Sequence, residues 1–88
     1  MRHAARTDKN QPEIMDALRK VGVQVYHLKR PFDLLICVQG RTELLECKTA
    51  DGRFTKGQLD FLAMWPGTVH VVRSPEEAVR AVLRLEAA

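Results

Sequence analysis

Ile14, Leu18 and Val21 recur at helical spacing with Ala17 beside them, which predicts a helix opening at Asn10 and stopped by Gly22. Asn10 followed by Glu13 three positions on has the form of a capping box. VQVYHL at 23–28 alternates apolar and polar and predicts a strand, which Lys29, Arg30 and Pro31 break. FDLLICVQGRTELLECK at 32–48 is two apolar runs joined by Gln39-Gly40, a predicted hairpin. After the polar loop TADGR, Thr55 with Gln58 forms a second capping box. It opens a short helix whose inward side would be Leu59, Leu62, Phe61 and Trp65 and which ends at Pro66-Gly67. TVHVVR at 68–73 is a β-branched run and predicts a strand. Ser74, Pro75, Glu76 and Glu77 read as an N-cap, an N1 proline and two first-turn acids, ahead of a last helix with Ala78, Val79, Val82 and Leu83 inward. The order α-β-β-β-α-β-α predicts an α/β sandwich: an antiparallel meander, a fourth strand reached by a right-handed crossover, and a mixed four-stranded sheet flanked by helices.

At 88 residues the chain has room for one core, and a domain this small is marginal alone, so a partner subunit is expected. Hydrophobic residues at 45% and charged residues at 28% exclude a disordered chain. No apolar stretch approaches the roughly 20 residues that span a bilayer. MRHAARTDKN lacks the apolar centre of a signal peptide, which makes the cytoplasm the expected location. Cys37 and Cys47 lie within apolar runs and are expected as reduced core thiols. Net charge is +3, a mild basic bias that suits a polyanion and is equally explained by a solvated surface.

Placement says more than total charge. With Gln39-Gly40 as a two-residue loop, Val38 faces Arg41, and the same register carried back sets Asp33 opposite Glu46. Their side chains would share a face, with Lys48 two residues beyond Glu46 joining them; a three-residue loop would instead put the acids on opposite faces. Opposed acids repel, and a divalent cation offsets that repulsion. Oxygen ligands suit Mg²⁺ or Mn²⁺, whereas His3, His27 and His70 lack zinc-ligand spacing. A plain salt bridge between Lys48 and one acid is the competing account.

Asp33, a hairpin, Glu46-Cys47-Lys48 and then Gln58 resemble the PD-(D/E)xK nuclease superfamily and, more narrowly, the VRR-NUC (virus-type replication-repair nuclease) domain in its short stand-alone phage and bacterial form. A bare acid-x-Lys triplet is common by chance. The specificity lies in its combination with RTDKNQPEI, Trp65-Pro66-Gly67 and Val71-Val72-Arg73-Ser74. The resemblance runs from about Arg6 to Val82 and implies a single domain over 1–88 with its core at about 6–85 and a restriction-endonuclease-like fold. The chain departs from the family where Phe32 replaces the proline usual before the aspartate, Pro31 standing one position earlier, and where Leu28-Lys29-Arg30 replaces a glycine-rich approach.

The resemblance implies a metal-dependent DNA endonuclease acting on branched DNA such as Holliday junctions. By that likeness Asp33, Glu46 and the backbone carbonyl of Cys47 hold Mg²⁺ or Mn²⁺, with Glu13 as a further ligand unless it serves the Asn10 cap. Lys48 would position water or neutralise charge on the phosphate. Gln58 would orient Lys48 or the DNA, unless it only caps Thr55. Arg6, Lys9, Lys29, Arg30, Arg53 and Lys56 are candidate phosphate contacts. Trp65 with Phe61 is core or a contact in a homodimer, since paired cuts need two sites. The alternative to the enzyme is a non-catalytic DNA-binding or assembly module of the same fold.

Overall fold

A computed structural model describes residues 9–88. Seven elements follow in the expected order: α1 Gln11–Lys20, β1 Gln24–His27, β2 Leu34–Val38, β3 Arg41–Cys47, α2 Lys56–Met64, β4 Val69–Val72 and α3 Pro75–Ala87. The sheet order is β1-β2-β3-β4, with β1, β2 and β3 antiparallel in sequence and β4 parallel to β3. The sheet is therefore mixed, as a meander closed by one helical crossover requires.

The β2–β3 turn is the two-residue loop. Val38 pairs with Arg41 and Leu34 with Leu45, so the next positions outward are Asp33 and Glu46. Gln39 at φ 50° and Gly40 at φ 80° both take the left-handed backbone that such a turn needs. A glutamine is strained there and an asparagine much less so. Gln39→Asn should stabilise the domain by roughly 0.5–1 kcal/mol, read as a higher midpoint in urea with an unchanged slope.

Register divides the sheet into two unlike faces. Leu34, Ile36, Val38, Leu45, Cys47 and Val72 are buried against Ile14, Leu18, Ala78, Ala81 and Val82 of α1 and α3, forming the core. The other face carries Tyr26, Leu35 and Leu44 in one cross-strand row, and Tyr26 is 64% exposed. The flanking of the sheet is thus unequal: α1 and α3 cover one face, whereas α2 stands over the far end of the other, where Gln58 reaches Glu46.

That asymmetry corrects several expected core positions. Helix α2 has no buried residue; Leu59 is 53% and Trp65 42% exposed, while Phe61 and Leu62 are half-buried. Its aromatics form their own cluster instead, Phe61 meeting the buried Phe32 edge-on at 5.6 Å between centroids and stacking on Trp65 at 5.1 Å. Cys37 is exposed because it points from the uncovered face, whereas Cys47 is buried; neither is in a disulfide. Val21 is exposed as the C-cap of α1, ahead of Gly22 at φ 86°. In α3 the inward stripe is Ala78, Ala81 and Val82, and Leu83, which lies about 100° further round the helix, is exposed.

Asn10 is the other correction. It precedes α1, but its side chain makes no capping bond and its backbone is already helical at φ −85°, ψ −2°. Its amide donates to the Lys48 carbonyl at 3.1 Å and to the Arg73 carbonyl at 3.0 Å, tying the start of α1 to the ends of β3 and β4. Asn10→Ala should cost about 1–3 kcal/mol in chemical unfolding. Asn10→Asp should not recover the loss, although aspartate is as good a cap as asparagine, because a carboxylate cannot donate to two carbonyls.

Candidate active site

The candidate site lies where β2 begins and β3 ends. Asp33 stands one residue before the paired part of β2, and the N–H groups of Leu28 and Lys29 both donate to its carbonyl, at 2.7 and 3.2 Å. Those bonds close the turn at 28–33, which contains a cis Arg30-Pro31 peptide, and so fix Asp33 at the mouth of the hairpin even with Phe32 before it. The Asp33 carboxylate turns to the backbone of β3, where Oδ2 accepts from the Cys47 N–H at 2.8 Å. In return the Asp33 N–H donates to Glu46 Oε1 at 3.2 Å. The register expected from the Gln39-Gly40 turn brings the two acids together, each bonded to the other's strand.

Glu46 is 3% and Lys48 8% exposed, unusually deep for ionised side chains, which are almost never buried unless paired. The pair is direct: Lys48 Nζ lies 2.9 Å from Glu46 Oε2. The ammonium also donates to the Arg53 carbonyl at 2.9 Å and to Gln58 Oε1 at 3.4 Å, and lies 5.6 Å from the centre of the Phe54 ring. Its stem passes Gly52, where an added Cβ would stand 3.0 Å from Lys48 Cδ, so the glycine leaves the space that the lysine fills.

Gln58 both caps α2 and touches the Lys48 ammonium. Its backbone N–H donates to the Thr55 hydroxyl while its Oε1 accepts from the Thr55 N–H, a complete capping box. Its Nε2 meanwhile donates to Glu46 Oε2 at 3.0 Å and to the Pro31 carbonyl at 3.3 Å. The first turn of α2 thereby locks the Glu46–Lys48 pair to the turn that carries Asp33.

The oxygens at this end fit a hard cation in kind. Two carboxylates stand together, and because the Lys48 N–H bonds to Val72 on β4, backbone alternation turns the Cys47 N–H and carbonyl to the other side, toward Asp33. Mg²⁺ is held in proteins through one or two carboxylates and keeps several of its waters, which two neighbouring carboxylates suit. Among the described residues no third acidic, histidine or cysteine side chain joins Asp33 and Glu46; Glu13 is exposed on α1 and is not brought to them. Comparison with known proteins adds nothing further. No family model, curated protein or solved structure matches the chain.

Of the expected phosphate contacts, Arg6 lies outside the described residues, and Lys9, Lys29, Arg30, Arg53 and Lys56 are exposed. Lys56 pairs with Asp60 at 2.9 Å on the surface of α2, and Arg53 borders a cleft beside Lys48. Three residues have a part here that their sequence context does not indicate. Arg73 donates through Nη1 to the carbonyls of Thr49, Ala50 and Gly52 and so clamps the loop behind Lys48. Phe54, held edge-on by Phe32 at 6.2 Å, walls the site. Asn10 pins the last carbonyl before that loop. Among the described residues no helix is long and apolar enough to cross a membrane.

Proposed function

We propose that the protein is a metal-dependent endodeoxyribonuclease that hydrolyses phosphodiester bonds in branched DNA such as four-way junctions. The observation that carries this is the convergence of Asp33, Glu46 and Lys48 at one sheet end, with Glu46 and Lys48 buried and held by Gln58. Opposed acids are costly in a fold with no use for them, and they repel DNA unless a cation stands between.

Asp33, Glu46 and the Cys47 carbonyl would hold Mg²⁺ or Mn²⁺, which when bound supplies an acidified water and charge stabilisation on the phosphate. Lys48 already has all three of its donors engaged, so it can serve a phosphate oxygen or a water only by giving one up. The Gln58 contact, the longest at 3.4 Å, is the one to exchange; the Glu46 and Arg53 bonds keep the ammonium aimed. Charge developing on the phosphoryl oxygens would then meet a cation already aimed by its buried partners, and such preorganised charge stabilises a transition state most. Arg53 and the cations of the 28–33 turn, Lys29 and Arg30, flank the site and supply contacts to neighbouring phosphates.

The working unit in this account is a homodimer in the cytoplasm of a bacterial or phage-infected cell. The uncovered sheet row of Tyr26, Leu35 and Leu44, with exposed Trp65 and Met64 on α2, is apolar surface that a second copy would bury. Sedimentation at micromolar protein should give twice the chain mass, and Tyr26→Glu should return it to the monomer; a monomer throughout would remove the dimer.

One observation favours a non-catalytic DNA-binding module: the Glu46–Lys48 pair is electrically complete without an ion. The two accounts part on a single assay. Purified protein is incubated with a labelled four-way junction and a matched linear duplex, with Mn²⁺ or with EDTA. The nuclease nicks the junction in Mn²⁺ alone, whereas the module binds it in a salt-dependent way that ignores the metal and leaves every strand whole.

A further inference from the structure

Beside Lys48 a cleft of about 420 Å³ opens between α2, the loop at 49–54 and β4, lined by Lys48, Gly52, Arg53, Phe54, Leu59, Val71 and Arg73. Its size falls in the roughly 300–1,000 Å³ range of small-ligand sites. Its walls are of two kinds. Phe54, Leu59 and Val71 form an apolar side, and Leu59 and Val71 are exposed, Val71 because it points from the sheet face that α1 and α3 leave uncovered. Arg53 and Arg73 supply two cations, the charge of Lys48 being offset by Glu46 behind it, and no acid is among the lining residues. A bare phosphate or the backbone of intact duplex would use the cations and leave the apolar wall wet. A planar heteroaromatic ring carrying a phosphate uses both.

We propose that this cleft takes one unpaired nucleotide of a DNA strand, its base against Phe54, Leu59 and Val71 and its phosphate toward Arg53 and Arg73. Phe54 is suited to stacking because Phe32 fixes its orientation edge-on. Arg73 is held through Nη1 by the three loop carbonyls and is exposed beside the cleft, which makes it a preset anchor instead of a free surface arginine. A base paired and stacked within duplex cannot enter such a site, so the substrate must offer a nucleotide out of the stack next to the bond facing Lys48. This rests on the nuclease proposal for the class of polymer and sharpens it, since a branch with unpaired nucleotides is favoured over a fully paired one.

The test is equilibrium binding in EDTA, which makes it independent of hydrolysis. The probes are fluorescein-labelled tetrathymidylate and the same oligomer with abasic sites at its two central positions, with thymidine 5′-monophosphate as competitor. The intact oligomer should bind at least about tenfold more tightly than the abasic one, the worth of one stacked base. Leu59→Ser, at an exposed position that leaves the fold intact, and Phe54→Ala should each reduce that ratio toward one, and the mononucleotide should compete weakly. Equal binding of the two oligomers, or a ratio that survives both substitutions, overturns the proposal. A mononucleotide as tight as the oligomer overturns the DNA strand as the source. Metal-dependent junction cleavage without a base preference would end this inference and leave the nuclease standing; a base preference without any cleavage would do the reverse.

Discussion

Lys48→Met should lower the folding stability by about 3–5 kcal/mol, the loss found when one partner of a buried ion pair is removed and the other charge stays behind. In a domain of this length that is a fall in Tm of at least roughly 12 °C. The cause is Glu46, 3% exposed and left with only the Asp33 N–H and the Gln58 amide to balance its charge. The double variant Glu46→Gln with Lys48→Met should recover most of the loss, because it removes both charges and keeps the shape. The same variants bear on the metal. If Asp33 and Glu46 hold Mn²⁺, the ion replaces the missing ammonium as a counter-charge, so Mn²⁺ should raise the Tm of Lys48→Met more than that of the unaltered protein. It should leave the double variant almost unmoved. An equal response to Mn²⁺ in all three would mean that the ion does not bind at these acids.

Asp33→Asn should separate fold from chemistry. The amide oxygen can still accept from the Cys47 N–H, so the mouth of the hairpin is preserved and stability should change by no more than about 1 kcal/mol. Cleavage of a junction, by contrast, should fall at least about 10²–10³-fold, the scale on which loss of one charge-stabilising group slows such reactions. A variant that unfolds would show that Asp33 is mainly a brace for β3. One that cuts as fast as the parent would show that its charge has no part in the reaction.

Much of this arrangement was legible from local rules. Gln39-Gly40 sets the register of β2 on β3, and that register alone brings position 33 beside 46. Thr55 and Gln58 announce the start of α2, and Ser74 with Pro75 that of α3, because capping needs only residues three apart. What escaped depends on residues far apart in the chain. Asn10 has the sequence context of a cap, yet its amide is claimed by carbonyls 38 and 63 residues away. The spacing of Leu59, Phe61, Leu62 and Trp65 predicts an inward side for α2, but Phe32 and Phe54 draw the aromatics into a cluster at the sheet end and leave Leu59 beside the cleft. Cys37 sits in an apolar run, and its exposure follows from α1 and α3 choosing the other face. Arg73 is one of many arginines until the loop at 49–52 folds against it.

The central claim is that the acid pair and the buried lysine form a hydrolytic centre, and one measurement addresses it most directly. A labelled four-way junction is incubated in Mn²⁺ with the unaltered protein and with Asp33→Asn, after thermal melts have shown the two to be equally folded. The account predicts strand nicks from the first, none in EDTA, and a rate from the second lower by at least about two orders of magnitude. Equal cutting by both, or an intact junction in every lane, would contradict it.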